Sequence, residues 1–212
     1  IELAATKIVA GGFNYSGQTC ISVQRVYVHA DIHDQLLDLV AAKVDKLVVG
    51  DPADDATVVS ALIARKETAR VKDWIDEAVA GGARLVTGGE FSAAGVLQPT
   101  VLAGVTREMK VCTDEVFGPM LGVASYDDYE DALTAANDTR YGLQAAVFTK
   151  DLAKALRAAE ALDFGGVLIN EMPSWRADHQ PYGGVRDSGN TREGPAFTIQ
   201  EMTERKVVII TP

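Results

Sequence analysis

A single cysteine stands where the chain is expected to turn from a helix into a strand. Cys20 lies in the stretch 13–22, after an alanine-rich helical pattern and before an apolar segment typical of a strand. Enzymes with alternating helices and strands often place their chemistry at such junctions. There a thiolate can reach a substrate, and backbone N–H groups can stabilise an oxyanion. A small buried apolar cysteine fits this stretch equally well, so both interpretations stay open here.

The composition excludes several classes of function. The chain has 212 residues, of which 47% are hydrophobic and 24% charged, as in ordinary soluble globular proteins. A net charge of −10 argues against nucleic acid or an anionic membrane as a partner. Two cysteines and three histidines show neither a disulfide framework nor zinc-ligand spacing. We therefore expect no metal and a cytoplasmic location.

Helical and strand patterns alternate along the chain, which predicts an α/β fold with a largely parallel sheet. The apolar spacing predicts helices over 1–12, 32–48, 64–80, 129–137, 152–162 and 196–202. Strands are predicted over 21–30, 83–87, 96–101, 109–111, 120–126, 145–149, 167–170 and 206–210. Asp31 is expected to cap the second helix, and Gly11–Gly12 to end the first. The last strand must either return to this sheet or add to a sheet edge in another domain or subunit.

Three motifs occur together in a fixed order. They are Gly-Gln-Thr-Cys at 17–20, Glu-Val-Phe-Gly-Pro at 115–119, and the glycine-rich 181–189 that continues to Arg192 and Glu193. Together they resemble the C-terminal catalytic half of the NAD(P)-dependent aldehyde dehydrogenase superfamily. The resemblance covers nearly the whole chain. It implies a three-layer α/β catalytic domain over 1–198 and an oligomerisation strand region over 199–212.

The resemblance also implies a reaction. Cys20 matches the family's nucleophile, whose thiolate attacks a small aldehyde to form a thiohemiacetal. Hydride passes to NAD or NADP, and water hydrolyses the thioester to a carboxylic acid. A thiol suits both the attack on the aldehyde and the release of the acid, since its thiolate is a strong nucleophile and a good leaving group. The backbone N–H of Cys20 would be one donor to the oxyanion.

Glu115 and Phe117 match the family's cofactor-binding pair. There the carboxylate binds the hydroxyls of the nicotinamide ribose and the ring packs near the nicotinamide. A carboxylate accepts two hydroxyl donors well, and a ring limits the reach of a flat cofactor. Without Cys20 upstream, a strand-edge salt bridge and a core phenylalanine would be the preferred interpretation.

Four further residues are assigned to the substrate. Tyr15, Thr19 and Ile21 surround the cysteine, and Tyr15 with the residues after Cys20 resembles the branch that handles lactaldehyde and other small oxygenated or anionic aldehydes. Arg176 could hold an anionic substrate tail, because a guanidinium is a fork-shaped donor for carboxylate or phosphate. A surface ion pair is the alternative for Arg176. The glycine-rich loop itself is expected to be structural, with Ser188 and Arg192 hydrogen-bonding across it.

Several functional motifs and one domain of the family have no match in this sequence. The general-base glutamate motif, a second oxyanion donor and the N-terminal cofactor-binding domain are expected outside this chain, which starts at Ile1. We therefore expect the 212 residues alone to be inactive, and the enzyme to be a homodimer or homotetramer. Two alternatives remain: an acylating, CoA-dependent aldehyde dehydrogenase, and a non-catalytic scaffold domain of the same fold. A Cys–His hydrolase is disfavoured because His29 and His33 follow the far end of the next strand.

Overall fold

Helices and strands alternate along the chain in the computed structural model, which describes residues 1–212. The helices are α1 (Glu2–Phe13), α2 (His33–Val44), α3 (Arg65–Ala80), α4 (Lys110–Thr113), α5 (Tyr129–Asn137), α6 (Leu152–Ala161) and α7 (Pro195–Glu201). The strands are β1 (Arg25–His29), β2 (Arg84–Thr87), β3 (Thr100–Ala103), β4 (Met120–Tyr126), β5 (Gln144–Val147) and β6 (Gly166–Ile169). None of the helices is both long enough and apolar enough to cross a bilayer.

The strands form two sheets that are mostly parallel. Four strands lie in the order β1-β4-β3-β2, and only β2 runs antiparallel to its neighbour. Strands β5 and β6 form a separate parallel pair. The predicted α/β class with a largely parallel sheet is confirmed.

Helices cover both faces of the four-stranded sheet, which makes the predicted three layers. Side chains alternate along β4, because successive residues of a strand point to opposite faces. Leu121 and Val123 pack in one core with α1 and α2, and Met120 packs in a second core with α3. Burying each of these large apolar side chains stabilises the fold by about 1.5–3 kcal/mol.

The smaller sheet has its own apolar cluster. Leu133 of α5 and Ala158 of α6 are buried together with Leu162, and residues of β5 and β6 pack against them. Both helices begin at an aspartate cap, at which the side chain of Asp128 or Asp151 accepts backbone N–H bonds of the first turn. Since α5 also contacts β1 and β4, it joins the two sheets.

Three local predictions were wrong. Residues 109–111 do not form a strand, because Lys110–Thr113 is a short helix with Val111 buried. Asp31 does not cap α2; it lies in a 3-10 turn, and its backbone N–H donates to the ring of His29. Gly11–Gly12 do not end α1, since both lie inside it, and a side chain at Gly11 would meet Val23. These glycines allow the helix to pack closely against the chain that follows the cysteine.

The predicted C-terminal strand does not form within this chain. Residues 203–212 have no regular secondary structure and pair with no strand. The four apolar residues 207–210 are between 70% and 87% exposed. The possibility that this segment returns to the sheet of its own chain is therefore wrong.

Candidate active site

A left-handed turn carries the chain from α1 to Cys20. Three consecutive residues have positive φ, with 53° at Tyr15, 58° at Ser16 and 71° at Gly17. Such angles are costly for residues other than glycine, so the turn must be held by its surroundings. The buried Ser16 hydroxyl accepts the backbone N–H of Ser60 at 2.9 Å and donates to its carbonyl at 3.2 Å. The Gln18 side chain accepts the N–H of Ile63 at 2.9 Å.

Cys20 itself is exposed at the end of this turn. Its backbone N–H donates to no protein acceptor. The next turn is closed by the N–H of Ser22, which donates to Thr19 at 3.1 Å, and the Ser22 hydroxyl faces the carbonyls of Gly11 and Gly12 at 3.3 and 3.2 Å. The thiol and a free N–H donor therefore lie together on a turn that is anchored to α1.

The segment containing Glu115 is held by two side chains from distant parts of the sequence. The side-chain nitrogen of Gln24 donates to the carbonyls of Val111 and Asp114 at 2.8 and 2.7 Å, and its oxygen accepts the N–H of Val116 at 2.9 Å. The guanidinium of Arg70 donates to the carbonyl of Val116 at 2.8 Å.

The thiol turn and the Glu115 segment touch through two glycines. Gly17 lies so close to the carbonyl of Gly118 that any side chain at Gly17 would overlap that oxygen. Phe117 just before it has a φ of 51°. This approach of two backbones brings the first two sequence motifs together, although about a hundred residues separate them in the chain.

One cavity of about 1110 Å³ joins the predicted residues. It runs from the thiol between β1 and β5, and its wall includes Thr19, Cys20, Ile21, Glu115 and Phe117. The structure thus brings together five of the seven predicted site residues.

The other two predicted residues lie outside the cavity wall. Tyr15 is 79% exposed on the outer side of the left-handed turn. Arg176 pairs with Glu193 at 3.2 Å and stacks on the ring of Tyr182 at 4.2 Å. Tyr182 and Glu193 do line the cavity, so Arg176 lies one layer behind it.

Six titratable groups in this wall have raised pKa values, and Glu115, Cys112 and Tyr182 are among them. Partial burial raises the pKa of Glu115, although the side chain is open to the cavity, and the nearby Arg70 partly offsets this. Burial raises the pKa of Cys112 to about 11, so its thiol is neutral near pH 7. Burial raises the pKa of Tyr182, and a thiolate at Cys20 would raise it further.

The glycine-rich loop is structural, with a different pattern of bonds than expected. Arg192 crosses the loop and donates to the carbonyl of Gly184 at 2.8 Å. Ser188 does not bond across the loop; it accepts the N–H of Gly142 at 3.0 Å, which ties the loop to the start of β5. Sequence reasoning overlooked Tyr182 as part of the cavity and gave Gln24 no role. The sequence carried no local signal for Gln24, because its bonding partners lie about ninety residues away.

The residues in the wall fit a nicotinamide cofactor. Glu115 offers a partly desolvated carboxylate, which gains from hydroxyl donors. Phe117 is 37% exposed into the cavity and offers a flat surface beside it. Neither His29 nor His33 bonds to Cys20; they contact Asp31 and Asp34 instead.

The chain belongs to the aldehyde dehydrogenase family, whose model matches residues 1–208. It is 45% identical to the 3-sulfolactaldehyde dehydrogenase of Priestia aryabhattai and 38% identical to the lactaldehyde dehydrogenase of Methanococcus aeolicus. In both comparisons 99% of this chain is covered. The chain spans only 44% and 45% of the length of these two relatives.

Solved structures of the family agree with the fold. Aldehyde dehydrogenase 21 from Physcomitrella patens, in complex with the reaction product succinate, matches with a TM-score of 0.94 at 38% identity. The glyceraldehyde-3-phosphate dehydrogenase GapN from Methanocaldococcus jannaschii, complexed with NADP, matches with a TM-score of 0.94 at 36% identity. Each match covers 99% of this chain and 44% or 45% of the solved chain. Both NAD-dependent and NADP-bound members occur among the matching structures.

Proposed function

We propose that this chain is the catalytic part of an enzyme that oxidises a small aldehyde to a carboxylic acid with NAD or NADP. Residues 1–198 would form the catalytic domain, and most of the cofactor would be bound by a part of the protein outside this sequence. The observation that carries the proposal is the shared cavity: the exposed Cys20 thiol, with its free backbone N–H, lies in the same wall as Glu115 and Phe117.

In this mechanism the Cys20 thiolate attacks the aldehyde carbon and forms a C–S bond. The carbonyl oxygen gains the negative charge and accepts a hydrogen bond from the Cys20 N–H, which stabilises the tetrahedral thiohemiacetal. The oxyanion then re-forms the C=O bond and the former aldehyde hydrogen leaves as hydride, which leaves a thioester on Cys20; a bound nicotinamide would supply the hydride acceptor. Water then adds to the thioester, and the thiolate leaves as the carboxylic acid forms. Glu115 would hold the ribose hydroxyls of the cofactor, and Phe117 would limit the cofactor's movement.

The substrate proposed is a small oxygenated or anionic aldehyde. The relatives named for 3-sulfolactaldehyde and lactaldehyde support this class. Thr19 and Ile21 would contact the substrate beside the thiol, and Tyr15 would contribute from the outer side of the turn. Arg176 would attract an anionic tail from behind Tyr182, in competition with Glu193.

The C-terminal region 199–212 is proposed to join subunits into a homodimer or homotetramer. Its apolar residues 207–210 are exposed and their backbone is unpaired, as expected of a strand that completes another subunit's sheet. A variant that lacks 206–212 should run as a smaller species by light scattering. An unchanged assembly mass would reject this role.

The test of the reaction is NAD(P)H formation by the full-length protein. Wild type and Cys20→Ala are compared with NAD and NADP, neutral and anionic small aldehydes, and with and without CoA. Activity without CoA that disappears in Cys20→Ala supports the hydrolytic dehydrogenase. Activity only with CoA identifies the acylating alternative. Full activity of Cys20→Ala would show that the thiol is structural and would reject this mechanism, and no activity with any aldehyde would leave the scaffold alternative. The isolated 212-residue chain is expected to show no turnover.

A further inference from the structure

The side chain of Gln24 is fully engaged with the segment before and around Glu115. Its amide makes three hydrogen bonds to the backbone of residues 111–116, at 2.7 to 2.9 Å. The two carbonyl acceptors require the amide nitrogen on their side, and the N–H of Val116 requires the amide oxygen on the other side. Only one orientation of the amide therefore satisfies all three hydrogen bonds. Gln24 follows the thiol by four residues, and its own carbonyl accepts the N–H of Gly122 in β4 at 2.8 Å.

The peptide groups of Val116 are held from two sides. Gln24 accepts its N–H at 2.9 Å, and Arg70 donates to its carbonyl at 2.8 Å. The Arg70 guanidinium is itself oriented, since it donates to Glu67 at 2.9 Å and stacks over Trp74 at 4.6 Å. The Val116 side chain is buried in the apolar core against α3, which restrains this residue further.

Fixing Val116 fixes the residues on either side of it. Glu115 and Phe117 both open to the cavity, and Phe117 has the left-handed φ of 51°. Without restraint, this segment would relax toward an ordinary backbone conformation, which would move the carboxylate and the ring. Hydrogen bonds that hold a peptide group restrict the direction of the neighbouring side chains more narrowly than apolar packing does.

We propose that Gln24 and Arg70 are positioning residues for the cofactor-binding pair, and that Gln24 couples the thiol turn to that pair. This inference rests on the proposed function. Neither residue needs to touch the reacting atoms. Both act on the Val116 peptide, so their contribution concerns the affinity for NAD(P) rather than the chemistry at the thiol.

The test uses the full-length enzyme and the variants Gln24→Leu and Gln24→Glu. Gln24→Leu removes all three hydrogen bonds at nearly constant volume, and Gln24→Glu keeps the acceptor for Val116 but loses both donations. We expect KM for NAD(P) to rise about tenfold in Gln24→Leu, which corresponds to one lost positioning interaction. KM for the aldehyde and the rate of Cys20 alkylation without cofactor should change less than about twofold.

Gln35, which is exposed on α2, provides the matched control. Gln35→Leu makes the same chemical change and should leave both KM values unchanged. If Gln24→Leu fails to fold, Gln24→Glu and the Arg70 variants carry the test. Equal KM values in wild type and the Gln24 variants would overturn the proposal, as would a parallel rise of both KM values, because a general loss of structure affects both substrates.

Arg70 separates positioning from simple electrostatics. Arg70→Lys keeps the positive charge near Glu115 but loses the oriented fork, and Arg70→Met loses both. Positioning predicts a raised KM for NAD(P) in both variants, and an electrostatic role predicts it only in Arg70→Met. The double variant Gln24→Leu/Arg70→Lys should show a non-additive effect, since both residues restrain one peptide. An inactive wild type or an active Cys20→Ala would instead reject the proposed function itself.

Discussion

The two sides of the cavity differ in the exposure of their polar contacts. One side, the thiol face, consists of residues 17–24 and 115–118 and is fixed by close backbone packing and by the half-buried amide of Gln24. The other side, the loop face, consists of residues 173–193. There Arg176 and Glu193 form an ion pair whose side chains are 38% and 64% exposed.

Under the proposed function, the thiol face would carry the reaction and the loop face would select the substrate. Buried hydrogen bonds to backbone groups are expensive to break, so the thiol face keeps one geometry. Exposed ion pairs contribute only about 0–1 kcal/mol, so Arg176 can exchange Glu193 for another anion at little cost. The predictions below test this contrast, beginning with the largest effect.

The largest effect concerns the two thiols. Cys20 is exposed, whereas burial raises the pKa of Cys112 to about 11. At pH 8 only about one Cys112 in a thousand is then a thiolate, against about one in ten at the ordinary thiol pKa of 9.0, so its alkylation should be slower by about a hundredfold than for an unperturbed thiol. Mass spectrometry after iodoacetamide treatment should find one fast label per native chain and a second label only after unfolding.

Single-cysteine variants assign the fast label. Cys112→Ala should keep the fast phase, and Cys20→Ala should remove it. A fast phase that survives in Cys20→Ala would mean that Cys112 is accessible, and the contrast between the two thiols in this wall would be lost.

The next effect is at the contact between the two backbones of the thiol face. Gly17→Ala places a methyl group against the carbonyl of Gly118 at a φ of 71°. We expect a loss of about 2–4 kcal/mol in the free energy of unfolding and at least about a hundredfold loss of activity, because either the turn or the Glu115 segment must move. Urea denaturation and steady-state rates measure the two.

Gly189→Ala serves as the comparison on the loop face. This glycine also has a positive φ, 107°, but no atom lies near the site of an added side chain. Gly189→Ala should lose only the stability that an unfavourable φ costs. The difference between the two variants then measures the effect of the contact between Gly17 and Gly118. Equal losses in both variants would contradict the special role of the Gly17–Gly118 contact.

The sequence predicted the elements and the thiol face better than the loop face. The patterns of β4 and α5 have regular apolar spacing, and their bounds, 120–126 and 129–137, were predicted as they occur. Cys20, Glu115 and Phe117 were predicted from motifs that resemble a known family, and the structure lines one cavity with all three. The clamp by Gln24 was not predictable, since nothing local connects this residue to a segment about ninety positions away.

Two further errors have physical causes. The three residues 109–111, of which only Met109 and Val111 are apolar, are too few to distinguish a strand from a helical turn, and packing against α3 favours the helix. The sequence of segment 206–210 predicts a strand. A strand needs a neighbouring strand to pair with, and no strand of this chain pairs with this segment.

A moderate effect is expected on the loop face. Arg176→Gln should raise KM for an anionic aldehyde about tenfold, the usual cost of one charge-assisted contact, and leave a neutral aldehyde unchanged. The ratio of kcat/KM for the two aldehydes measures this selectivity. Glu193→Gln removes the competing anion and should improve the anionic substrate. If Arg176→Gln affected both aldehydes equally, Arg176 would support the loop instead of selecting charge.

The smallest effect is on stability, and its sign depends on pH. The folded chain raises the pKa of Glu115 above its ordinary value of 4.5. The folded state therefore holds this proton at higher pH than the unfolded state does, and the stability contributed by Glu115 falls as pH rises from 4.5 through the raised value. Near neutral pH the ionised carboxylate is a net cost to the fold.

Glu115→Gln should remove that cost. The variant should match wild type at about pH 4 and exceed it at about pH 7 by less than about 1 kcal/mol, because the side chain is open to solvent and its charge is screened. Thermal unfolding at the two pH values measures the difference. The same variant should bind NAD(P) less tightly, since an amide accepts hydroxyl donors less well than a carboxylate. A gain in stability together with a loss of affinity is expected if the Glu115 carboxylate serves to bind NAD(P). A loss in stability would instead assign Glu115 to the structure of the thiol face.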